Sequence, residues 1–391
     1  MSTEAVIVDV VRTPVGRGKP GGILSEVHPV DLLAGVLDTL VNRSDLDPAL
    51  IDDVIGGCVS QIGEQSYNVT RNAVLAAGFP ESVPGTTIDR QCGSSQQAAT
   101  FAAQAVLAGQ ADIVIACGVE SMSRVRLGSS MAGADPYSSR IRTRYPDGLV
   151  NQGVSAELIA AKWGFSREEL DAFAADSHTL AAAAQSSGAF ASEVVPVPGV
   201  DTLTDETVRP TTSAESLAGL NPAFRTDELA ERFPELEWRI TPGNSSPLTD
   251  GASAALIMSA ERAEQLGLTP RARFRAFSVV GSDPLYMLTG VIPATAKVLE
   301  RAGLGHADID AYEVNEAFAS VPLAWLRETG ADAAKLNPRG GAIALGHALG
   351  SSGTRLLTTL VNQLEASGGR YGLQTMCEGG GMANATIIER I

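Results

Sequence analysis

Cysteine and histidine are scarce here, with four of each in 391 residues. Four cysteines in so long a chain do not make a disulfide framework. None stands in a CxxC pair, so a zinc ribbon is not expected either. The histidines are far apart and no HExxH occurs. Basic residues are outnumbered, 29 Lys and Arg against 45 Asp and Glu, for a net charge of −16. That balance disfavours nucleic acid and anionic membranes as partners. An anionic ligand then needs a local basic patch, and Arg124, Arg126, Arg140, Arg142 and Arg144 offer one. No apolar run reaches about 18 residues, so no membrane span is expected. The first residues lack the basic start and length of a signal peptide, which makes a reducing cytosol the expected compartment. No GxSxG and no P-loop occurs, so esterase and NTPase readings have no local signal.

What is present is ordinary soluble composition, 44% hydrophobic and 19% charged, long enough for two or three domains. Buried strands are expected at 5–11, 53–58, 86–88 and 112–117, with helices at 29–41, 68–77 and 96–107 between them. Strands alternating with helices predict an α/β fold. From about 121 to 249 the texture turns to Ser, Thr, Pro, Arg and Glu, with one clear helix at 167–184. This stretch reads as an excursion from the core. The segment 250–258 returns to core texture.

The last third repeats the order of the first. A strand at 273–280 and a helix at 294–302 precede a strand at 309–314 that parallels 51–55. The glycine-rich run 337–353, with the helix 356–364 after it, parallels Cys92 and its helix. The strand 373–377 parallels 113–118. Cys92 to Cys117 is 25 residues, and Gly350 to Cys377 is 27. Two similar α/β halves follow from this order of elements.

Three groups stand out for chemistry. Cys92 precedes a helix start, where unpaired N–H groups and a partial positive charge favour thiolate; an inert structural thiol is the other reading. Cys377 precedes Glu378-Gly379-Gly380-Gly381, so exposed backbone N–H groups stand near a thiol. That makes either an oxyanion site or merely a small residue before a turn. His347 lies among glycines, where backbone can turn tightly and hold the ring. His28, His178 and His306 read as surface groups, and Cys58 and Cys117 as structural. Asn315 and Glu316, at a strand end, are either helix caps or, for Asn315, a holder of water or substrate oxygen.

Four segments together resemble the active-site motifs of the thiolase family, in the same order and across essentially the whole chain. They are Asp89-Arg90-Gln91-Cys92-Gly93-Ser94, Asn315-Glu316-Ala317-Phe318-Ala319, Gly340 to His347, and Cys377 to Gly381. The resemblance implies the thiolase fold: two pseudo-symmetric α/β core domains in five layers plus an inserted loop domain. In this chain that gives a first core domain at 1–120 completed by 250–270, a coenzyme A-binding loop domain at 121–249 and a second core domain at 271–391. It implies a homodimer or homotetramer, with a fatty-acid oxidation partner subunit left open. It implies coenzyme A as substrate and no tightly bound cofactor.

Carried over by position, Cys92 is the acylated nucleophile, His347 takes its proton, and Cys377 protonates the acetyl-CoA enolate. Asn315 with His347 forms one oxyanion hole, and the N–H groups of Cys92 and Gly379 the other. Arg209, Ser216, Ser246 and Phe318 fall at substrate positions. The implied reaction is thiolytic cleavage of a 3-ketoacyl-CoA. The alternatives are acetyl-CoA acetyltransferase chemistry run as condensation, a decarboxylating condensing enzyme, and a non-catalytic CoA-ester or lipid-binding protein.

Departures from the family pattern are Ala348 after the histidine, Pro338-Arg339 before Gly340, Pro242 near the pantetheine, Asn151-Gln152-Gly153 in the loop domain and a longer 225–241. Two of these, Asn151-Gln152-Gly153 and the longer 225–241, point to a bulkier acyl chain than acetoacetyl.

Overall fold

A computed structural model describes residues 4–391. Ten strands form one sheet: β1 (Ala5–Arg12), β2 (Gly16–Arg17), β3 (Asp53–Gly57), β4 (Thr86–Ile88), β5 (Ile113–Ser121), β6 (Thr249–Ser259), β7 (Ala272–Gly281), β8 (Ala311–Val314), β9 (Tyr371–Glu378) and β10 (Met382–Arg390). Their order is β4-β3-β5-β6-β1-β7-β10-β9-β8, with β2 paired to β6. Only two residue pairs, Val6 with Arg273 and Ile7 with Ala272, join β1 to β7. The sheet therefore divides there into two halves of matching topology. In the first, β3 runs parallel to β5, which pairs antiparallel with β6, and β6 with β1. In the second, β8 runs parallel to β9, which pairs antiparallel with β10, and β10 with β7. The repeat read from the sequence is this topology.

β5 and β6 are buried along their whole length; their runs are apolar or small apart from Glu120 and Asp250 and the hydroxyl residues near their ends, and the two carboxylates accept from backbone N–H groups. β10 is the strand that the sequence pattern hid. Its inward positions include Asn384 and Thr386, which are buried because they bond into the helix layer: Asn384 Nδ2 donates to Gly93 O (3.1 Å), and Gln96 Nε2 to Thr386 Oγ1 (3.1 Å). Buried polar residues with partners erase the alternation that marks a strand.

Between β5 and β6, residues 122–248 add no strand to the sheet, only helices and irregular chain. Two long helices dominate, Gln152–Trp163 and Arg167–Ser186. The first carries no clear apolar stripe, because eight consecutive residues from Gly153 to Ala160 are buried. This excursion is tied to β1 by Arg12, which donates to Glu193 (2.7 Å) and, through both terminal nitrogens, to Asp205 (2.7 and 2.9 Å). The guanidinium is 1% exposed, so it depends on these two carboxylates in place of water.

The helices Ser94–Leu107 and Ser352–Ser367 cross near their N-termini. Gly353 makes the crossing possible: a Cβ there would lie 2.0 Å from Gln96 N. One half contributes Cys92 and the other His347, each just ahead of one of these helix starts. Their meeting is a consequence of this close approach.

Candidate active site

Cys92 sits on a tight turn built by its own neighbours. Asp89 Oδ1 accepts from Gln91 N (2.6 Å). Ser94 Oγ accepts from Arg90 N (2.9 Å) and donates to Gln91 O (2.6 Å). Gln91 is left-handed, φ 49°, a strained state for a residue with a side chain. The turn aims Cys92 inward, where it is 3% exposed. Burial first, and then the nearby Glu378, push its thiol up to about 12.

His347 is held on three sides. Gly346 is left-handed, φ 77°, and a Cβ there would meet Thr249 Oγ1 at 2.4 Å. That same hydroxyl accepts from His347 N (3.0 Å). Ser352 Oγ lies 2.6 Å from His347 Nδ1. The serine hydroxyl donates its one proton to Ala348 O (2.8 Å), so it accepts from Nδ1–H. Nε2 is thereby the bare nitrogen. Asn315 Nδ2 donates to it at 3.4 Å. Burial, with Arg355 nearby, lowers His347 to about 3 and keeps the ring neutral.

Cys377 is the last residue but one of β9 and fully buried, and the Asn315 amide favours its thiolate. Burial raises its pKa first, and proximity to Cys92 raises it further. Asn315 thus stands between Cys377 and the Nε2 of His347, and Cys92 is near enough to Cys377 for the two thiols to oppose each other's charge in one buried seam. Glu316 braces this seam from behind. Its carboxylate accepts from Ser177 Oγ (2.7 Å), Asn337 Nδ2 (2.8 Å) and Ile343 N (3.2 Å), fastening the histidine loop to the helix Arg167–Ser186. Gly379 lies between two amide side chains: Gln91 Oε1 and Gln152 Nε2 are each 3.1 Å from where its Cβ would stand.

Residues 5–261 match the family description "Thiolase, N-terminal domain", and residues 268–390 match "Thiolase, C-terminal domain". The chain belongs to the thiolase family. It is 48% identical to a steroid 3-ketoacyl-CoA thiolase of Mycobacterium tuberculosis, over 100% of this chain and 95% of that one. It is 43% identical to a 3-ketoacyl-CoA thiolase of Klebsiella pneumoniae, over 99% and 100%. In structure it resembles the Bacillus anthracis acetyl-CoA acetyltransferase, with a TM-score of 0.88 and 37% identity, covering 100% of this chain and 99% of that one.

In this thiolase the remaining expected site residues lie on the side of the excursion. Ser246 N donates to Ala317 O (3.0 Å) and Ala319 N to Asn244 O (2.9 Å), so the Gly243-Asn244-Ser245-Ser246 segment is laced to the Asn315 loop. Phe318 packs its ring edge-on against Phe224, with centroids 5.8 Å apart. Arg209 is exposed and lines a groove of about 400 Å³ with Arg17, Lys19, Glu206, Thr207, Pro247 and Leu248. Ser216 does not line it; it is exposed and shares a capping box with Ser213.

Two expectations are corrected. His178 is not a surface group: it is fully buried, and its Nδ1 accepts from Arg209 N (3.1 Å). Burial, with Arg209 adding to it, lowers its pKa to about 4, so it supports the arginine loop as a neutral ring. The arginine patch beginning at Arg124 is partly neutralised, since Arg124 pairs with Glu64 and Arg142 with Asp135. Gln152 was missed as a site residue. Its amide favours the Cys92 thiolate against burial, and its Nε2 flanks Gly379. The only signal was its place in a departure from the family pattern.

Proposed function

We propose that this thiolase cleaves a 3-ketoacyl-CoA with coenzyme A, through an acyl-thioester on Cys92, to acetyl-CoA and a shortened acyl-CoA. The observation that carries this is the buried seam just described: Asn315 on the bare Nε2 of His347, Ser352 on its Nδ1, and two buried thiols near enough to oppose each other's charge. Cys92 Sγ attacks the 3-keto carbon while its proton passes to His347 Nε2. The Cα–Cβ bond then breaks, leaving the acyl group on Cys92 and acetyl-CoA as an enolate. Cys377 gives its proton to that carbanion. The resulting Cys377 thiolate deprotonates the incoming CoA thiol, whose sulfur attacks the acyl-Cys92 thioester. Cys92 leaves and recovers the proton from His347.

A thiol suits this work because its thioester both forms and exchanges readily. The developing oxyanions need fixed donors in a water-poor site. His347 and an Asn315-held water supply one set, and the Cys92 and Gly379 N–H groups the other. Every step is carried by these side chains and the substrate, with coenzyme A as substrate.

The groove under Arg209 is the proposed entry for the anionic end of CoA, and Ser246 and Phe318 flank the route inward. Ser216 is the outermost of the proposed contacts. The first core domain, loop domain and second core domain are divided as the sequence indicates, at 1–120 with 250–270, 121–249 and 271–391. The acyl wall is built by the longer 225–241. Phe233, Leu236 and Trp238 from it are buried in the cluster that holds Phe318 and the helix Gln152–Trp163. Glu157 fixes it by accepting from Arg239 N (2.7 Å) and Ile240 N (2.8 Å). A wall of this bulk favours acyl groups larger than acetoacetyl. A homodimer through β4 accompanies this reading. β4 is the unpaired edge of the sheet next to the nucleophile turn, and Tyr67 beside it is 93% exposed.

The test is thiolysis of a 3-ketoacyl-CoA panel, including long and ring-bearing chains, followed by loss of the enolate–magnesium absorbance. Turnover by wild type but not by Cys92→Ala supports the reading. No turnover on any member, with CoA esters still bound, overturns it in favour of a binding protein. A preference for acetoacetyl-CoA overturns the acyl-size assignment alone.

A further inference from the structure

Behind the nucleophile stands a buried carboxyl that the scheme above does not use. Glu378 follows Cys377 on β9 and is fully buried, and neither of its oxygens has a hydrogen-bond partner. Alternate strand residues face opposite ways, so it turns from the Cys377 side to the start of the Cys92 helix. A Cβ on Gly93 would lie 2.1 Å from its Oε1 and 2.9 Å from its carboxyl carbon. Position 93 is bare because this carboxyl fills the space a side chain would take. Asn384 of β10 reaches the same spot: its Nδ2 is 2.9 Å from that Cβ position, and its Oδ1 has no donor.

An ionised carboxylate here would have two buried oxygens and no hydrogen bond, although the buried Arg90 Nε, itself without a partner, stands nearby; that is a costly arrangement. A neutral acid carries an O–H, and the pocket holds an acceptor that lacks one, Asn384 Oδ1. The charged and titratable groups facing Glu378 are Arg90 and Asp89 from the nucleophile turn and the thiols of Cys92 and Cys377. Burial pushes the carboxyl up to about 8 although Arg90 opposes it.

We propose that Glu378 is a positioning residue for the nucleophile: as a neutral acid it backs the turn and permits the Cys92 thiolate, and its ionisation opposes that thiolate and limits the reaction on the alkaline side. This rests on Cys92 as nucleophile. Alkylation requires no CoA substrate, so failure of this inference is read separately from failure of the thiolase assignment.

The experiment is the rate of Cys92 alkylation by iodoacetamide from about pH 6 to about pH 10, wild type beside Glu378→Gln. The glutamine keeps the shape and removes the charge. In wild type the rise with pH is expected to flatten above about pH 8. In the variant it is expected to continue, giving about tenfold faster alkylation near pH 9, the effect of a thiol titrating about one unit lower. Superimposable profiles overturn the proposal. So does a variant slowed equally at every pH, which is the mark of a purely structural role. If the variant does not fold, infrared difference spectra of wild type decide. Glu313 is also pushed up to about 8, so the spectra are taken with Cys92 free and alkylated: a protonated-carboxyl C=O band that is lost with a midpoint near 8 and shifts on alkylation supports the proposal, and a band that alkylation leaves unmoved refutes it.

Discussion

Ser352→Ala tests whether the tautomer of His347 is set by one hydroxyl. The substitution removes the acceptor 2.6 Å from Nδ1 and little else. Ala348 O, to which that hydroxyl donates, keeps a bond from Ser352 N (2.9 Å), so the helix start is spared. The ring is buried and meets no replacement water, so an unpaired Nδ1–H costs about 1–3 kcal/mol. That penalty favours the other tautomer, in which the proton sits on Nε2. A ring in that form cannot take the Cys92 proton. Positioned general bases contribute about 10²–10⁴ in rate, and losing part of the productive population removes a fraction of this. The expected outcome is a fall in kcat of about 10–100-fold, with KM for the ketoacyl-CoA within about twofold, because no substrate contact has changed. Ser352→Thr, which restores the hydroxyl, should recover most of the loss. Steady-state thiolysis with both variants measures it. A Ser352→Ala enzyme within twofold of wild type in kcat would refute the tautomer assignment.

Gly353→Ala should destabilise by more than the usual 1–3 kcal/mol of overpacking, because the added methyl meets backbone at 2.0 Å and not a side chain that can turn away; denaturant unfolding measures it, and an unchanged midpoint would show that the helices do not need this approach. Arg209→Ala should raise KM for CoA thioesters by about 5–10-fold and leave kcat near wild type, as expected when uniform binding is lost; equal KM values would remove the groove from the CoA route. Stability should fall on acidification. His347 and His178 have folded pKa values lowered to about 3 and about 4 from 6.5. Below about pH 6.5 the unfolded chain binds protons that the fold refuses. Each ring then withdraws up to about 1.4 kcal/mol per pH unit, down to its folded pKa. Thermal melts at pH 7, 6 and 5 should show a falling Tm, and a flat series would mean that the rings are hydrated.

The fold was legible wherever a segment's local chemistry and its burial agree. β5 and the helix after Cys92 read correctly because one opens on an apolar run, Ile113 to Cys117, and the other is alanine-rich. The two halves read correctly because strand, helix and cysteine recur at nearly equal spacing. β10 and Gln152–Trp163 were not legible, for opposite reasons: one buries polar residues that find partners only across the layer, and the other is buried on every side and shows no stripe. At the proposed site, Cys92, His347 and Cys377 were conspicuous because glycine marks the backbone around each. Ser352, Thr249 and Gln152 were not. A serine or glutamine acquires a role only from the atom it faces, and that atom lies 98 residues away for the bond between Thr249 and His347 N.

The electrostatics of the seam decide how the nucleophile is made. A thiol at about 12 beside an imidazole at about 3 does not rest as an ion pair. Even at a contact distance of about 4 Å, mutual attraction of two unit charges returns only about 4 kcal/mol at the effective dielectric of a protein interior. That is too little to reverse so steep an order of proton affinities. The empty enzyme therefore holds a neutral thiol and a neutral ring, and the proton moves as sulfur attacks. The charge that would have stayed on sulfur then passes to a substrate oxygen already surrounded by donors. Binding of the 3-keto group, and not a standing thiolate, activates Cys92. The same logic applies to Glu378: any second negative charge behind sulfur widens the gap the substrate must close, so the acid in that place has to be neutral while the enzyme turns over.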